Sequence, residues 1–196
     1  YTPRTYEGFA RAVDIIAGKS VAGAAVHKYT LEYLLGIFTE RGPDDVVEYI
    51  VENYLDNCSV SLPDKVSKKV DQIRKAAPGK KAPDLALPDS AGQIRTLSAS
   101  VQQGQLTLLM IWASWCGHCH TQMPMLKELY DAHSGKGLVI YSAAFNSERR
   151  EWLDKLNELS PPWINVLDYR GEASQLFPNY NVTKTPTYFL IDKSGT

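Results

Sequence analysis

Leu106-Thr107-Leu108-Leu109-Met110-Ile111-Trp112-Ala113, followed by Ser114-Trp115-Cys116-Gly117-His118-Cys119-His120, is the stretch from which the rest of this chain can be read. Leu106 to Ala113 is an almost unbroken apolar run of strand length, which suits a strand buried on both faces. A helix-like stretch begins at about Thr121, so Cys116 and Cys119 stand where a strand feeds a helix. Two cysteines at this spacing can close a small disulfide ring. The first sits at the helix N-terminus, where free backbone N–H groups and the macrodipole favour a thiolate. Cys116 is therefore the expected nucleophile of a redox site, with Cys119 as the thiol that resolves its adducts.

Composition narrows the class. The chain has 196 residues, 44% hydrophobic and 22% charged, enough to bury a substantial core in one or two domains. A formal net charge of -1, with no long basic run, argues against a nucleic-acid partner. No apolar stretch approaches the roughly 20 residues of a bilayer span. The sequence opens at Tyr1 without a charged and then apolar leader, so any targeting segment is expected to have been removed or never to have existed. Three cysteines form one close pair and leave Cys58, four positions after Tyr54 on an apolar helical stripe, as an expected small buried hydrophobe.

The periodicities divide the chain near Ala76-Ala77-Pro78-Gly79-Lys80-Lys81-Ala82-Pro83. Before that linker only helical stripes occur: Phe9, Val13 and Ile16; Leu31, Leu34, Leu35 and Phe38; Val47, Ile50, Val51, Tyr54 and Cys58; Val66, Val70, Ile73 and Ala77. Pro43, Asp44 and Asp45 suit a helix start, and Arg74 with Lys75 a helix end. After the linker, Asp84 to Leu87 and Ile94 to Leu97 flank a Pro88–Gly92 turn as a hairpin.

Leu106 to Ala113 is the next strand, and a helix from about Cys116 to His133 should turn Met123, Leu126, Leu129 and Tyr130 inward before Gly135 and Gly137 end it. Leu138 to Phe145 reads as a buried strand. Ser147 is the expected cap of a helix carrying Trp152, Leu156 and Leu159, which stops at Pro161-Pro162. Ile164 to Leu167 and Thr187 to Ile191 suit strands, and Glu172 to Phe177 a helix. Alternating strands and helices imply an α/β sandwich with a partly parallel sheet. The expected domains are a helical one over residues 1–77 and an α/β one over 78–196.

The Trp112-Ala113-Ser114-Trp115-Cys116-Gly117-His118-Cys119 segment, Pro124 five residues after the second cysteine, and Thr185-Pro186 far downstream together resemble the thioredoxin superfamily. Pro124 removes a helix hydrogen bond at a cost of about 3 kcal/mol and should kink the helix. The resemblance covers about residues 80–196. It implies a thioredoxin-like sandwich, a central mixed sheet flanked by helices, preceded here by a small all-α domain. It also implies a cis Thr185-Pro186 bond packed against the dithiol, with Thr185, Pro186 and Trp115 meeting an extended substrate.

The hairpin and the leading Ala82-Pro83-Asp84-Leu85 look like the extracytoplasmic TlpA/ResA type, which implies a periplasmic or envelope-anchored protein, membrane attachment coming only through a removed N-terminal anchor. Thioredoxin proper carries an aspartate where Met110 stands, and TlpA/ResA-like proteins often a glutamate where Gln122 stands. The family continues with one more strand and a helix, whereas this chain ends at Thr196 in the turn after Asp192, so those two elements are expected to be missing.

The activity implied is protein thiol–disulfide exchange, in the reducing or the oxidising direction, with protein thiols and disulfides and a redox partner as the molecules met, and with no cofactor and no metal. Gly117 and His118 lie between the cysteines and are expected to tune the potential, His118 by offering an N–H or a positive charge to the Cys116 thiolate, as in protein disulfide isomerase. His120 is expected to point into water, Lys184 to be a solvated charge, and Trp112 to pack. Cys116-Gly-His-Cys119-His120 also fits the C-x-x-C-H haem attachment pattern, but it follows a buried strand and no loop clearly offers a methionine ligand. Zinc is disfavoured because four ligands within five residues of one helix start cannot easily surround an ion. A non-enzymatic adaptor would not need intact cysteines, and no cysteine has the Pro-x-x-x-Thr-x-x-Cys context of a thiol peroxidase.

Overall fold

The computed structural model describes residues 4–55, 62–145 and 148–196. The chain forms two compact units, Tyr1–Arg74 and Lys75–Thr196. Cys58 and Ser147 lie outside the described residues.

In the first unit, α1 (Tyr6–Ser20), α2 (Ala24–Arg41), α3 (Asp44–Tyr54) and α4 (Asp64–Ala76) pack around one apolar core. The Thr5 hydroxyl accepts from the Gly8 N–H and caps α1. Pro43 is the N-cap of α3, with Asp44 and Asp45 in the favourable first turn. Leu31, Leu34, Leu35, Ile50 and Val70 are interior. Ile16 is not. It is 47% exposed, because the inward arc of α1 runs through Ala10, Val13 and Ala17, and Ile16 stands one residue off it.

The second unit begins with a small antiparallel hairpin, β1 (Ala86–Pro88) and β2 (Ile94–Thr96). The strand does not reach Leu97. Thr96 instead accepts from the Ala99 N–H and caps α5 (Leu97–Gln103), a helix the periodicity reading passed over. β3 (Leu106–Trp112), β4 (Leu138–Phe145), β5 (Ile164–Asp168) and β6 (Thr187–Asp192) form a sheet in the order β5-β4-β3-β6. β3, β4 and β5 are parallel, and β6 is antiparallel to β3. The sheet is thus mixed, as the resemblance implies.

Strand alternation sorts the core into two layers. Met110, Trp112, Ile140 and Ala144 face α6 (Gly117–His133) and α7 (Arg149–Leu159), whereas Leu109, Ile111, Tyr141 and Phe145 face α5 and α8 (Leu176–Tyr180). Two consecutive crossovers, β3-α6-β4 and β4-α7-β5, put both helices on the same face, as right-handed connections require. Leu129 departs from expectation at 39% exposure: Met123, Leu126 and Tyr130 make the inward arc of α6, and Leu129 lies at its edge. The segment Glu172 to Phe177 is not one helix. It breaks into a 3-10 turn at Gly171–Ala173 and the separate α8, because the Ser174 side chain turns in to Asp168 and accepts from the Leu176 N–H.

Asp168, 1% exposed at the end of β5, organises that loop. It accepts two charge-assisted bonds from the Arg170 guanidinium, both 2.7 Å, and one from the Ser174 hydroxyl at 2.8 Å. Burial pushes its carboxyl up, but these donors outweigh burial and hold it below the ordinary aspartate value. A depressed folded-state value means stability that is fully present above about pH 4 and is lost as pH falls through the lower value. Asp168→Asn should therefore cost about 2 kcal/mol at neutral pH. In urea melts across pH 2 to 7, the gap between wild type and variant should close only below about pH 4; a gap independent of pH would contradict this.

Candidate active site

The site lies at the end of the sheet where β3 finishes and β6 starts. Ile111 pairs with Thr187, so antiparallel pairing brings the residues just after Trp112 beside those just before Thr187. Cys116 is the N-cap of α6, in extended conformation, and its carbonyl accepts from the N–H groups of Cys119 and His120. Its sulfur accepts from the Cys119 N–H at 3.2 Å. The helix therefore starts with a sulfur where a serine or aspartate oxygen commonly stands, and the Cys119 N–H is shared between that sulfur and the Cys116 carbonyl.

Cys116 and Cys119 form a disulfide, with Cα atoms 5.3 Å apart. The two sulfurs are not equivalent. Cys119 is fully buried among Met110, Trp112 and Met123, whereas Cys116 keeps 6% of its surface open. The Cys116 sulfur lies 3.7 Å from the Thr185 carbonyl oxygen. The Thr185-Pro186 bond is cis, and Thr187 steadies the approach by donating its hydroxyl to the Lys184 carbonyl at 2.7 Å. Thr185 and Pro186 are half-buried, so part of this ledge faces solvent beside the sulfur.

Trp115 is 58% exposed immediately before Cys116, an apolar surface presented to water. Gly117 and His118 are exposed, and open space surrounds the position a Gly117 side chain would take. The Thr121 hydroxyl donates to the His118 carbonyl and closes the first turn. Trp112 is fully buried. Lys184 is exposed, as its sequence setting suggests.

His120 differs from expectation. It turns inward rather than into water: its ring meets Trp112 edge-on at 6.5 Å, and its Nε2 is buried without a hydrogen-bond partner. Its position four residues after Cys116 puts it on the side of α6 that packs against the sheet, where the apolar bulk of Trp112 outcompetes solvent. Sequence reasoning also missed Tyr188, whose hydroxyl donates to the Gln122 side-chain oxygen. Alternation after Pro186 puts Tyr188 on the face of α6, but only the pairing register reveals its partner. Among the described residues, no three His, Cys, Asp or Glu side chains converge as a metal ion would need.

The thiol:disulfide interchange protein DsbE of Pseudomonas fluorescens biotype C is 33% identical over 117 residues, 60% of this chain and 62% of that protein. The thiol-disulfide oxidoreductase ResA of Geobacillus kaustophilus is 31% identical over 119 residues, 61% of this chain and 66% of that protein. The chain thus covers less than two thirds of the length of these curated relatives. Among solved structures, a domain of a possible thiol-disulfide isomerase from Cytophaga hutchinsonii superposes with a TM-score of 0.54 at 31% identity, covering 60% of this chain and 79% of that one. The AhpC/TSA family matches residues 78–196, which include the dithiol, and the chain belongs to that family.

Proposed function

We propose that this chain is a thiol–disulfide oxidoreductase that exchanges the Cys116/Cys119 dithiol with protein thiols and disulfides, needing no cofactor or metal. The observation that carries this reading is the inequality of two bonded sulfurs: one at a helix N-terminus within reach of solvent and of a backbone ledge, the other sealed in the core. An incoming sulfur can approach Cys116 and not Cys119.

In the reducing direction the Cys116 thiolate attacks a substrate disulfide sulfur, and the far substrate sulfur leaves as a thiolate. The Cys119 thiolate then attacks the Cys116 sulfur, releases the second substrate thiolate and closes the protein disulfide. Two electrons have passed from the dithiol to the substrate. From the oxidised state the steps reverse: a substrate thiolate attacks Cys116, Cys119 departs as the leaving group, and the second substrate thiol displaces Cys116. The Cys119 N–H and the positive end of α6 stabilise the Cys116 thiolate in both directions.

Trp115, Thr185 and Pro186 are assigned to substrate, Trp115 as an apolar contact and Thr185 as the backbone partner of an extended chain. Gly117 and His118 are assigned to tuning of the potential. His118 is exposed between the cysteines and can add a donor to the field around the thiolate. By likeness to proteins named DsbE and ResA, we place the chain outside the cytoplasm, in the periplasm or attached to the envelope, with residues 1–77 as a helical domain accompanying the exchange domain at 78–196. Among the described residues no helix is long and apolar enough to cross a membrane.

Two measurements test the assignments. Cys116→Ser should reduce exchange with a protein disulfide to the uncatalysed background, while Cys119→Ser should accumulate a mixed disulfide through Cys116, seen as a mass adduct on a non-reducing gel. Adducts through residue 119 in the Cys116→Ser variant would contradict the order of attack. Replacing the donor side chain with one that has none, His118→Pro, should make the disulfide harder to reduce, lowering the potential by about 30 mV for each 1.4 kcal/mol of thiolate stabilisation lost. Equilibration against glutathione measures the shift, and an unchanged or raised potential would remove His118 from the tuning role.

A further inference from the structure

The ledge that carries Thr185 and Pro186 belongs to β6, and the sulfur belongs to the start of α6; the ladder joins β6 to β3, not to that helix. The β3–β6 ladder brings ledge and sulfur to the same end of the sheet, and a direct contact from β6 to α6 can fix their spacing further. Tyr188 supplies one. It pairs in register with Met110, stands two residues after Pro186, and packs half-buried against the layer that holds Cys119 and Met123. Its hydroxyl donates to the side-chain oxygen of Gln122, which lies one turn after Cys119. The surrounding layer of Met110, Trp112, Met123, Leu126 and Ile140 is apolar and shelters the half-buried bond on its inner side. Burial pushes the Tyr188 hydroxyl above its ordinary value, which keeps it a donor, and a neutral amide accepts the bond without placing a charge beside Cys119.

We propose that Tyr188 and Gln122 form a cross-brace that holds the Thr185–Pro186 ledge at a set distance from Cys116, and so determines how tightly an extended protein substrate is bound rather than how reactive the sulfur is. Both are positioning residues: neither is adjacent in sequence to Cys116, and neither changes bonding during exchange. The brace rests on the oxidoreductase reading above. Its consequence is a separation of effects. Loosening the ledge weakens backbone pairing with a polypeptide, whereas a small electrophile that needs only the Cys116 sulfur does not use the ledge.

The test compares insulin reduction, with dithiothreitol regenerating the dithiol, against alkylation of Cys116 by iodoacetamide. Y188F removes the donor and Q122M, of similar shape, removes the acceptor. Each should raise KM for insulin by about two- to ten-fold, the worth of one net hydrogen bond. Alkylation rates and their pH profile should stay within about two-fold of wild type, and Q122E, which keeps an acceptor, should retain the wild-type KM. The double variant Y188F/Q122M should be no worse than either single variant, as expected when two side chains act through one bond.

An unchanged KM in Y188F, multiplying losses in the double variant, or alkylation falling in step with insulin reduction would each overturn the brace. A wild-type chain whose Cys116/Cys119 pair exchanges with neither insulin nor glutathione would sink the oxidoreductase reading, and the brace with it. An active wild type with an unaffected Y188F would sink the brace alone.

Discussion

Antiparallel pairing of β6 on β3 is the constraint on which the site depends. Cys116 and Thr185 are 69 positions apart, and they meet because Ile111 and Thr187 are partners at the end of one ladder. A slip of that register by one residue would turn Tyr188 to the opposite layer and carry the ledge away from the sulfur. Side chains on both strands oppose such a slip. Met110 and Trp112 fill the layer beneath α6, while Leu109, Ile111 and Ile191 fill the other, and exchanging them would put each set into a space shaped for its counterpart.

Given that register, the difference in exposure between the two cysteines follows from helix geometry. The N-cap position leaves the Cys116 sulfur at the helix end, where a first-turn N–H reaches it; three residues on, Cys119 faces the sheet and vanishes into the core. One element thus leaves one sulfur partly open and seals the other in the core. In the proposed exchange that difference matters, because a resolving thiol open to solvent would be attacked in its own right. Asp168 plays the corresponding structural part at the end of β5, where it fixes the following loop with side-chain bonds that involve no sulfur chemistry.

Local patterning made much of this legible. The apolar run at Leu106 to Ala113 and the dithiol spacing located the strand and the helix start, because each is dictated by nearby residues, whereas the Thr185-Pro186 ledge was legible only through the resemblance to the thioredoxin superfamily. Features that depend on distant packing were not legible. His120 reads as a solvent-facing histidine until Trp112 is placed beside it, and Tyr188 reads as an ordinary strand tyrosine until Gln122 is found across from it. Ser174 reads as helical, yet its hydroxyl is drawn to a buried aspartate six residues back. The α5 start was within reach: Thr96 followed by Leu97 and Val101 is a cap and a helical pair, though set within a stretch that otherwise suggests a hairpin.

In the proposed exchange Cys116 and Cys119 interconvert as one two-electron couple. Equilibrating the chain in graded mixtures of reduced and oxidised glutathione, quenching with acid and alkylating before mass analysis reads that couple. A single transition is expected, in which both cysteines gain or lose protection together, with the glutathione adduct confined to Cys116 and never dominant. Independent titration of the two thiols, or a stable glutathione adduct on Cys119, would contradict it.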